Sequence, residues 1–150
     1  MLIVGLGNPD RGDDAAGILV ARGLVEQGIK ALEYQGAPID LIEIWEPAGS
    51  VVIVDAIVSG AGPGTFRVWD AQTTEFQSGV FRSSSHEFGL AETIELARAL
   101  KRLPKELRVY GIEAAQFDAG APLSPHVLAG VNRALEQIVA DLYLSNKNLR

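Results

Sequence analysis

Two acidic residues and one histidine stand at three places where strand ends are expected. Asp14 follows the first apolar run, Asp55 closes the most β-branched run, and His86 lies in a polar loop before a helical pattern. In open α/β sheets, ligands bind beyond the carboxyl ends of the strands. Two carboxylates and one imidazole suit a divalent ion such as nickel or zinc and leave coordination positions open for a substrate. The pattern therefore predicts a metal site, provided that the three side chains converge.

Each of these residues also has a purely structural interpretation. Asp13 and Asp14 stand at a helix start, where one carboxylate commonly caps backbone N–H groups, although two adjacent acids exceed what capping requires. The Asp55 carboxylate could accept hydrogen bonds from loop amides. His86 could be a solvated loop residue. The residues by themselves leave both interpretations open.

The glycines of the first turn suggest a rival site for a dinucleotide. Gly5, Gly7 and Gly12 follow a predicted strand, but their spacing is G-x-G-x-x-x-x-G rather than G-x-G-x-x-G. Asp13 and Asp14 also place negative charge at the helix start on which a pyrophosphate would sit. We therefore expect no organic cofactor.

Strand and helix patterns alternate along the whole sequence. Strands are predicted at residues 2–4, 31–34, 51–54, 65–69 and 107–112, the fourth as an edge strand or hairpin arm. Helices are predicted from 13 or 14 to 28, over 38–45, from 90 to near 104 and over 125–142, with a frayed polar tail at 145–150. This order predicts an α/β fold in one domain, 1–150: a three-layer α/β/α sandwich around a mostly parallel twisted sheet, phosphorylase/hydrolase-like.

Composition narrows the classes of function. The chain has no cysteine, so any metal must be held by nitrogen and oxygen atoms. Its net charge of −6 disfavours nucleic acid as a partner. With 47% hydrophobic and 21% charged residues it resembles a soluble globular protein rather than a membrane span. The start of the sequence shows no leader pattern, and we expect a cytoplasmic protein.

A family resemblance is carried by several motifs in a fixed order. Residues 5–17, GLGNPDRGDDAAG, resemble the opening signature of the hydrogenase maturation proteases. The later matches are VDA at 54–56, SSHEFGL at 84–90, GIE at 111–113 and LSP at 123–125. The opening GLGNP alone also resembles the peptidyl-tRNA hydrolases, although their Thr-Arg-His-Asn run does not follow here. An esterase of that kind and a non-catalytic metal- or peptide-binding relative are the alternatives.

The resemblance implies an endopeptidase that removes the C-terminal peptide of a [NiFe]-hydrogenase large-subunit precursor after nickel insertion. The precursor would be its partner and would supply the nickel. Carried over by position, the implied catalytic residues and metal ligands are Asp14, Asp55 and His86. The implied substrate-binding residues are Gly7, Asn8, Gly12 and Asp13.

Overall fold

The structure is a computed structural model that describes residues 1–78 and 88–148. Its strands are β1 (Leu2–Leu6), β2 (Leu32–Tyr34), β3 (Ser50–Ile57), β4 (Phe66–Asp70) and β5 (Glu106–Glu113). Its helices are α1 (Ala16–Glu26), α2 (Leu41–Trp45), α3 (Leu90–Ala99) and α4 (Pro125–Asn148). A 3-10 turn precedes each of the first two helices, Gly12–Ala15 before α1 and Pro38–Asp40 before α2.

Within the described residues, the strands form one five-stranded sheet in the order β2-β1-β3-β5-β4. The first four strands in that order are parallel, and β4 runs antiparallel to β5 at one edge. At the centre of the sheet, Val54 of β3 pairs with Gly5 of β1 on one side and with Tyr110 of β5 on the other. The predicted mostly parallel sheet with an edge arm is confirmed.

Helices cover both faces of the central strand, which explains its continuous apolar sequence. One core layer contains side chains of β3, α2 and α3, and the other contains side chains of β3, α1 and α4. Because successive strand residues point to opposite faces, the side chains of β3 divide between the layers. Val51, Ile53 and Ile57 belong to the first layer, and Val52, Val54 and Ala56 belong to the second. The predicted α/β/α layering is confirmed.

The start of the first helix differs from the prediction. Asp13 and Asp14 lie in the 3-10 turn, and neither that turn nor α1 has a side-chain hydrogen bond at its N-cap. Helix α1 instead comes close to the sheet through Gly17. A Cβ atom added there would lie 2.4 Å from the carbonyl oxygens of both Leu6 and Val54. Any other residue would therefore push α1 away from β1 and β3.

The end of the last helix also differs from the prediction. A frayed tail from Ser145 is wrong over the described residues, because α4 continues to Asn148. The hydroxyl of Ser145 donates a hydrogen bond to the carbonyl of Asp141 at 3.0 Å. The ammonium group of Lys147 lies over the Tyr143 ring, 5.0 Å from its centroid. These contacts within one helical turn favour continuation of the helix.

Candidate active site at the carboxyl edge of the sheet

Among the described residues, four carboxylates are buried, and all belong to the carboxyl edge of the sheet. The exposed fraction is 0% for Asp13, 3% for Asp14, 6% for Asp55 and 2% for Glu113. They lie in the 3-10 turn after β1, near the end of β3 and at the end of β5. Burial of a carboxylate is costly unless hydrogen bonds or a cation stabilise it. The environment of each one therefore indicates its role.

The Asp13 carboxylate holds a distant loop. Its Oδ2 accepts hydrogen bonds from the backbone N–H groups of Ala115 at 2.8 Å and Gln116 at 2.9 Å, and from the Ser124 hydroxyl at 2.9 Å. Its Oδ1 accepts from the backbone N–H of Ser124 at 2.7 Å. Of the two interpretations left open for Asp13, the helix cap is not observed, because its hydrogen-bond donors come from the segment after β5. We name this segment, residues 114–124, the β5–α4 loop.

The Glu113 carboxylate holds the segment that follows β3. Its Oε1 accepts from the N–H groups of Ser59 at 2.8 Å and Gly60 at 3.1 Å, and its Oε2 accepts from the Ser59 hydroxyl at 2.7 Å. Neither Asp13 nor Glu113 forms an ion pair with a described residue. Glu113 is not among the site residues predicted from the sequence. Its position at the end of an apolar strand is the same sequence signal that led to the prediction of Asp55.

Asp14 lies directly beyond β1. Its carbonyl oxygen accepts a hydrogen bond from the N–H of Asn8 at 3.3 Å. A Cβ atom added to Gly7 would lie 1.9 Å from that carbonyl oxygen and 3.7 Å from the carboxylate Oδ1 of Asp14. The Asp14 side chain is therefore beside the glycine that follows the last residue of β1.

Asp55 lies in the neighbouring strand, one residue beyond the Gly5–Val54 pair. Its Oδ1 accepts a hydrogen bond from the N–H of Ala56 at 2.9 Å. Strand β3 continues to Ile57, so the expectation that the strand ends on Asp55 is wrong. The 3-10 turn that carries Asp14 contacts β3. The structure thus brings the elements of the two predicted acidic residues together at one edge.

His86, the third predicted ligand, lies outside the described residues. Within residues 1–78 and 88–148, no group of three or more acidic or histidine side chains is arranged to hold a metal ion. Helix α3 begins at Leu90 and packs in the core layer of Ile53 and Ile57. By strand alternation, this is also the face to which Asp55 points. The predicted triad itself stays a prediction.

The predicted substrate-binding turn is packed against the protein's own backbone. Gly7 has φ 138° and faces the Asp14 carbonyl, and Gly12 has φ 56°. A Cβ atom added to Gly12 would lie 2.5 Å from the carbonyl oxygen of Gln116. The side-chain oxygen of Asn8 accepts a hydrogen bond from the N–H of Asp10 at 2.9 Å, which closes the turn. Contact of Gly7, Asn8 and Gly12 with a substrate stays a prediction.

Solved structures with the same fold define the class of protein. The hydrogenase maturating endopeptidase HybD from E. coli superposes with a TM-score of 0.75 at 26% identity, over 96% of this chain and 92% of that chain. The [NiFe] hydrogenase maturation protease HybD from Thermococcus kodakarensis gives a TM-score of 0.70 at 33% identity, over 94% of this chain and 97% of that chain. The protein has the α/β fold of the maturation endopeptidases.

Sequence comparisons give the family. The model of the family described as HycI, hydrogenase maturation protease, matches residues 34–141. The chain belongs to the hydrogenase maturation protease family. The Escherichia coli K12 hydrogenase 2 maturation protease is 28% identical over 149 residues, which cover 95% of this chain and 90% of that protein. The hydrogenase expression/formation protein HupD of Thiocapsa roseopersicina is 28% identical over 143 residues, 91% of this chain but 64% of that protein.

These comparisons decide between the interpretations of the opening motif. The family that they show is that of the maturation proteases, rather than the peptidyl-tRNA hydrolases that share the residues GLGNP. Over the described part of the chain, the helices do not include one that is long and apolar enough to cross a bilayer.

Proposed function

We propose that this protein is an endopeptidase that removes the C-terminal peptide of a [NiFe]-hydrogenase large-subunit precursor after nickel insertion. Asp14, Asp55 and His86 contact the nickel, which arrives with the precursor as part of the substrate. Membership of the maturation protease family supports the reaction and the kind of partner.

One observation carries the proposal for the site. Asp14 and Asp55 are two buried carboxylates on contacting elements, one beyond β1 and one in β3. Two acidic side chains close to the same strand ends create a negative potential that favours a cation over an anionic ligand.

The donor set fits a nickel ion carried by a substrate. Carboxylate oxygens and an imidazole nitrogen are suitable ligands for a borderline divalent ion, and three such ligands leave positions for the groups of the precursor. When bound, the ion polarises a carbonyl oxygen or lowers the pKa of a water molecule. The chain's own carboxylates orient the precursor by binding its metal. Ligands from both proteins then bind the ion better than either set alone, so that cleavage depends on prior nickel insertion.

The direct test compares nickel-loaded with nickel-free precursor in a cleavage assay. We expect release of the C-terminal peptide from the loaded form only. Equal cleavage of both forms would contradict nickel recognition, and binding of the precursor without cleavage would favour the non-catalytic alternative. Hydrolysis of peptidyl-tRNA by the same preparation would favour the esterase instead.

Histidine variants provide a matched pair for the ligand assignment. The chain has two histidines, and the side chain of the second, His126, is exposed at the start of α4. We expect His86→Ala to abolish processing and His126→Ala to retain the wild-type rate, with the folded state of both checked by circular dichroism. A folded His86→Ala variant that processes the precursor at the wild-type rate would show that His86 is not part of the site.

A further inference from the structure

We infer that Asp13 is a positioning residue, which fixes Asp14 by holding the β5–α4 loop against the 3-10 turn. The effect on cleavage rests on the proposed function, whereas the effect on the loop does not. The neighbouring aspartates thus have different roles: Asp14 faces the site, and Asp13 binds the loop that supports it. A direct substrate contact of Asp13 is disfavoured because both of its carboxylate oxygens accept hydrogen bonds from the β5–α4 loop.

Hydrogen bonds join the β5–α4 loop to the residues that directly precede Asp14 in the chain. The carbonyl of Asp10 accepts a hydrogen bond from the N–H of Gly120 at 2.7 Å. The guanidinium Nε of Arg11 donates to the carbonyl of Phe117 at 3.3 Å. The N–H of Asp13 donates to the carbonyl of Gln116 at 2.7 Å. The two segments therefore form one interlocked unit, with Asp13 at its buried centre.

Asp14 lies between this unit and the sheet. Its N–H donates to the carbonyl of Arg11 at 3.1 Å, and its carbonyl accepts from the N–H of Asn8. On the sheet side, Gly7 lies against the same carbonyl without room for a Cβ atom. The backbone of Asp14 is therefore held on two sides. If the β5–α4 loop detaches, the support on one side is lost and the Asp14 carboxylate changes its orientation.

The chemistry of the Asp13 contacts requires a carboxylate. All four groups that contact its oxygens are donors: three backbone N–H groups and one hydroxyl. An ionised carboxylate is purely an acceptor, whereas an asparagine amide has one acceptor oxygen and one NH₂ donor. In Asp13→Asn, an NH₂ group would face backbone N–H donors in a site closed to water. Hydrogen bonds to a charged acceptor are also stronger than neutral ones, so their loss weakens the loop attachment.

Hydrogen exchange tests the loop attachment independently of any substrate. We expect Asp13→Asn to accelerate exchange of the amides of Ala115, Gln116 and Ser124 by roughly tenfold or more. Amides of the central strand, such as that of Ile53, should keep their wild-type rates. The milder variant Ser124→Ala removes one hydroxyl donor and should give a smaller acceleration at the same amides. Unchanged exchange at all three amides in both variants would overturn the inference.

Cleavage kinetics test the positioning role. We expect Asp13→Asn to lower kcat by about tenfold or more while KM for the precursor changes by less than about twofold, because the lost property is the geometry of Asp14 rather than precursor binding. Glu26→Gln makes the same change of charge on an exposed side chain at the far end of α1 and should keep the wild-type kcat. Faster exchange of the loop with an unchanged kcat would overturn the positioning role. A wild-type protein that fails to cleave would count against the proposed function, and the exchange experiment would still test the attachment.

Discussion

At the residue scale, the carboxyl edge depends on close contacts that leave no space for additional atoms. Gly7 shows this most clearly, since it combines φ 138° with a position where a Cβ atom would overlap the Asp14 carbonyl. Gly28 also has a positive φ, 80°, but its added Cβ atom would meet nothing within 4 Å. Comparison of substitutions at the two glycines therefore separates the cost of backbone strain from the cost of atomic overlap.

We predict that Gly7→Ala lowers the free energy of unfolding by more than Gly28→Ala does. Backbone strain at a positive φ costs on the order of 1–3 kcal/mol in both variants. Overlap with Asp14 adds to it in Gly7→Ala and shifts the candidate site. Urea denaturation measures the difference, and peptide release from the precursor measures the shift of the site. Equal destabilisation of the two variants would show that the turn adjusts without cost.

At the residue scale, some site residues could be predicted from the sequence and others could not. Asp14 and Asp55 were selected because acids beyond apolar runs lie at strand ends, and the structure places both at one edge. The role of Asp13 was not predictable, because its hydrogen-bond donors lie 102 to 111 residues away in sequence. A local pattern at a helix start is the same for a cap and for a carboxylate that holds a distant loop.

At the element scale, Glu95 ties α3 to the segment before it. Its Oε2 accepts a hydrogen bond from the N–H of Phe76 at 3.0 Å, and its Oε1 accepts from the Nε of Arg98 at 2.9 Å. Arg98 in turn donates to the carbonyl of Thr74 at 2.8 Å. The hydrogen bond from Arg98 is the main cause that lowers the pKa of Glu95 from its ordinary value of 4.5.

We predict that Glu95→Gln reduces the acid sensitivity of the fold. Because the folded state lowers this pKa, the ionised carboxylate stabilises the protein above about pH 4.5, and this stabilisation is lost as the pH falls through the lower, folded-state pKa. The side chain is 33% exposed, so we expect a loss of less than about 1 kcal/mol at pH 7. Thermal unfolding should show a larger difference from wild type at pH 7 than at pH 3. Glu43→Gln, at an exposed position of α2, is the matched control for the loss of one negative charge.

Elements were predictable to the extent that their sequence patterns are local. The β-branched run of β3 and the apolar stripe of α4 identified both correctly. The start of α1 and the end of α4 were not predicted correctly, because contacts determine them. Gly17 of α1 packs against the sheet, and Lys147 contacts the Tyr143 ring in α4. The antiparallel direction of β4 depends on its pairing with β5, which no local pattern contains.

At the scale of the whole molecule, β3 belongs to both core layers, so loss of one layer exposes the other. We predict a single cooperative unfolding transition. Trp69→Phe leaves Trp45, 1% exposed in the layer of α2 and α3, as the remaining one of the two tryptophans. Its fluorescence should report the same urea midpoint as circular dichroism at 222 nm, which is dominated by α1 and α4. Separate midpoints would show that the two layers unfold independently.

The bonds between Asp13 and the β5–α4 loop also order events during synthesis. Asp13 leaves the ribosome before Ser124, which follows it by 111 positions. A nascent chain can therefore form the neighbouring strands before the carboxyl edge of the sheet is complete. The attachment of the loop at Asp13 is therefore complete only after Ser124 has been translated.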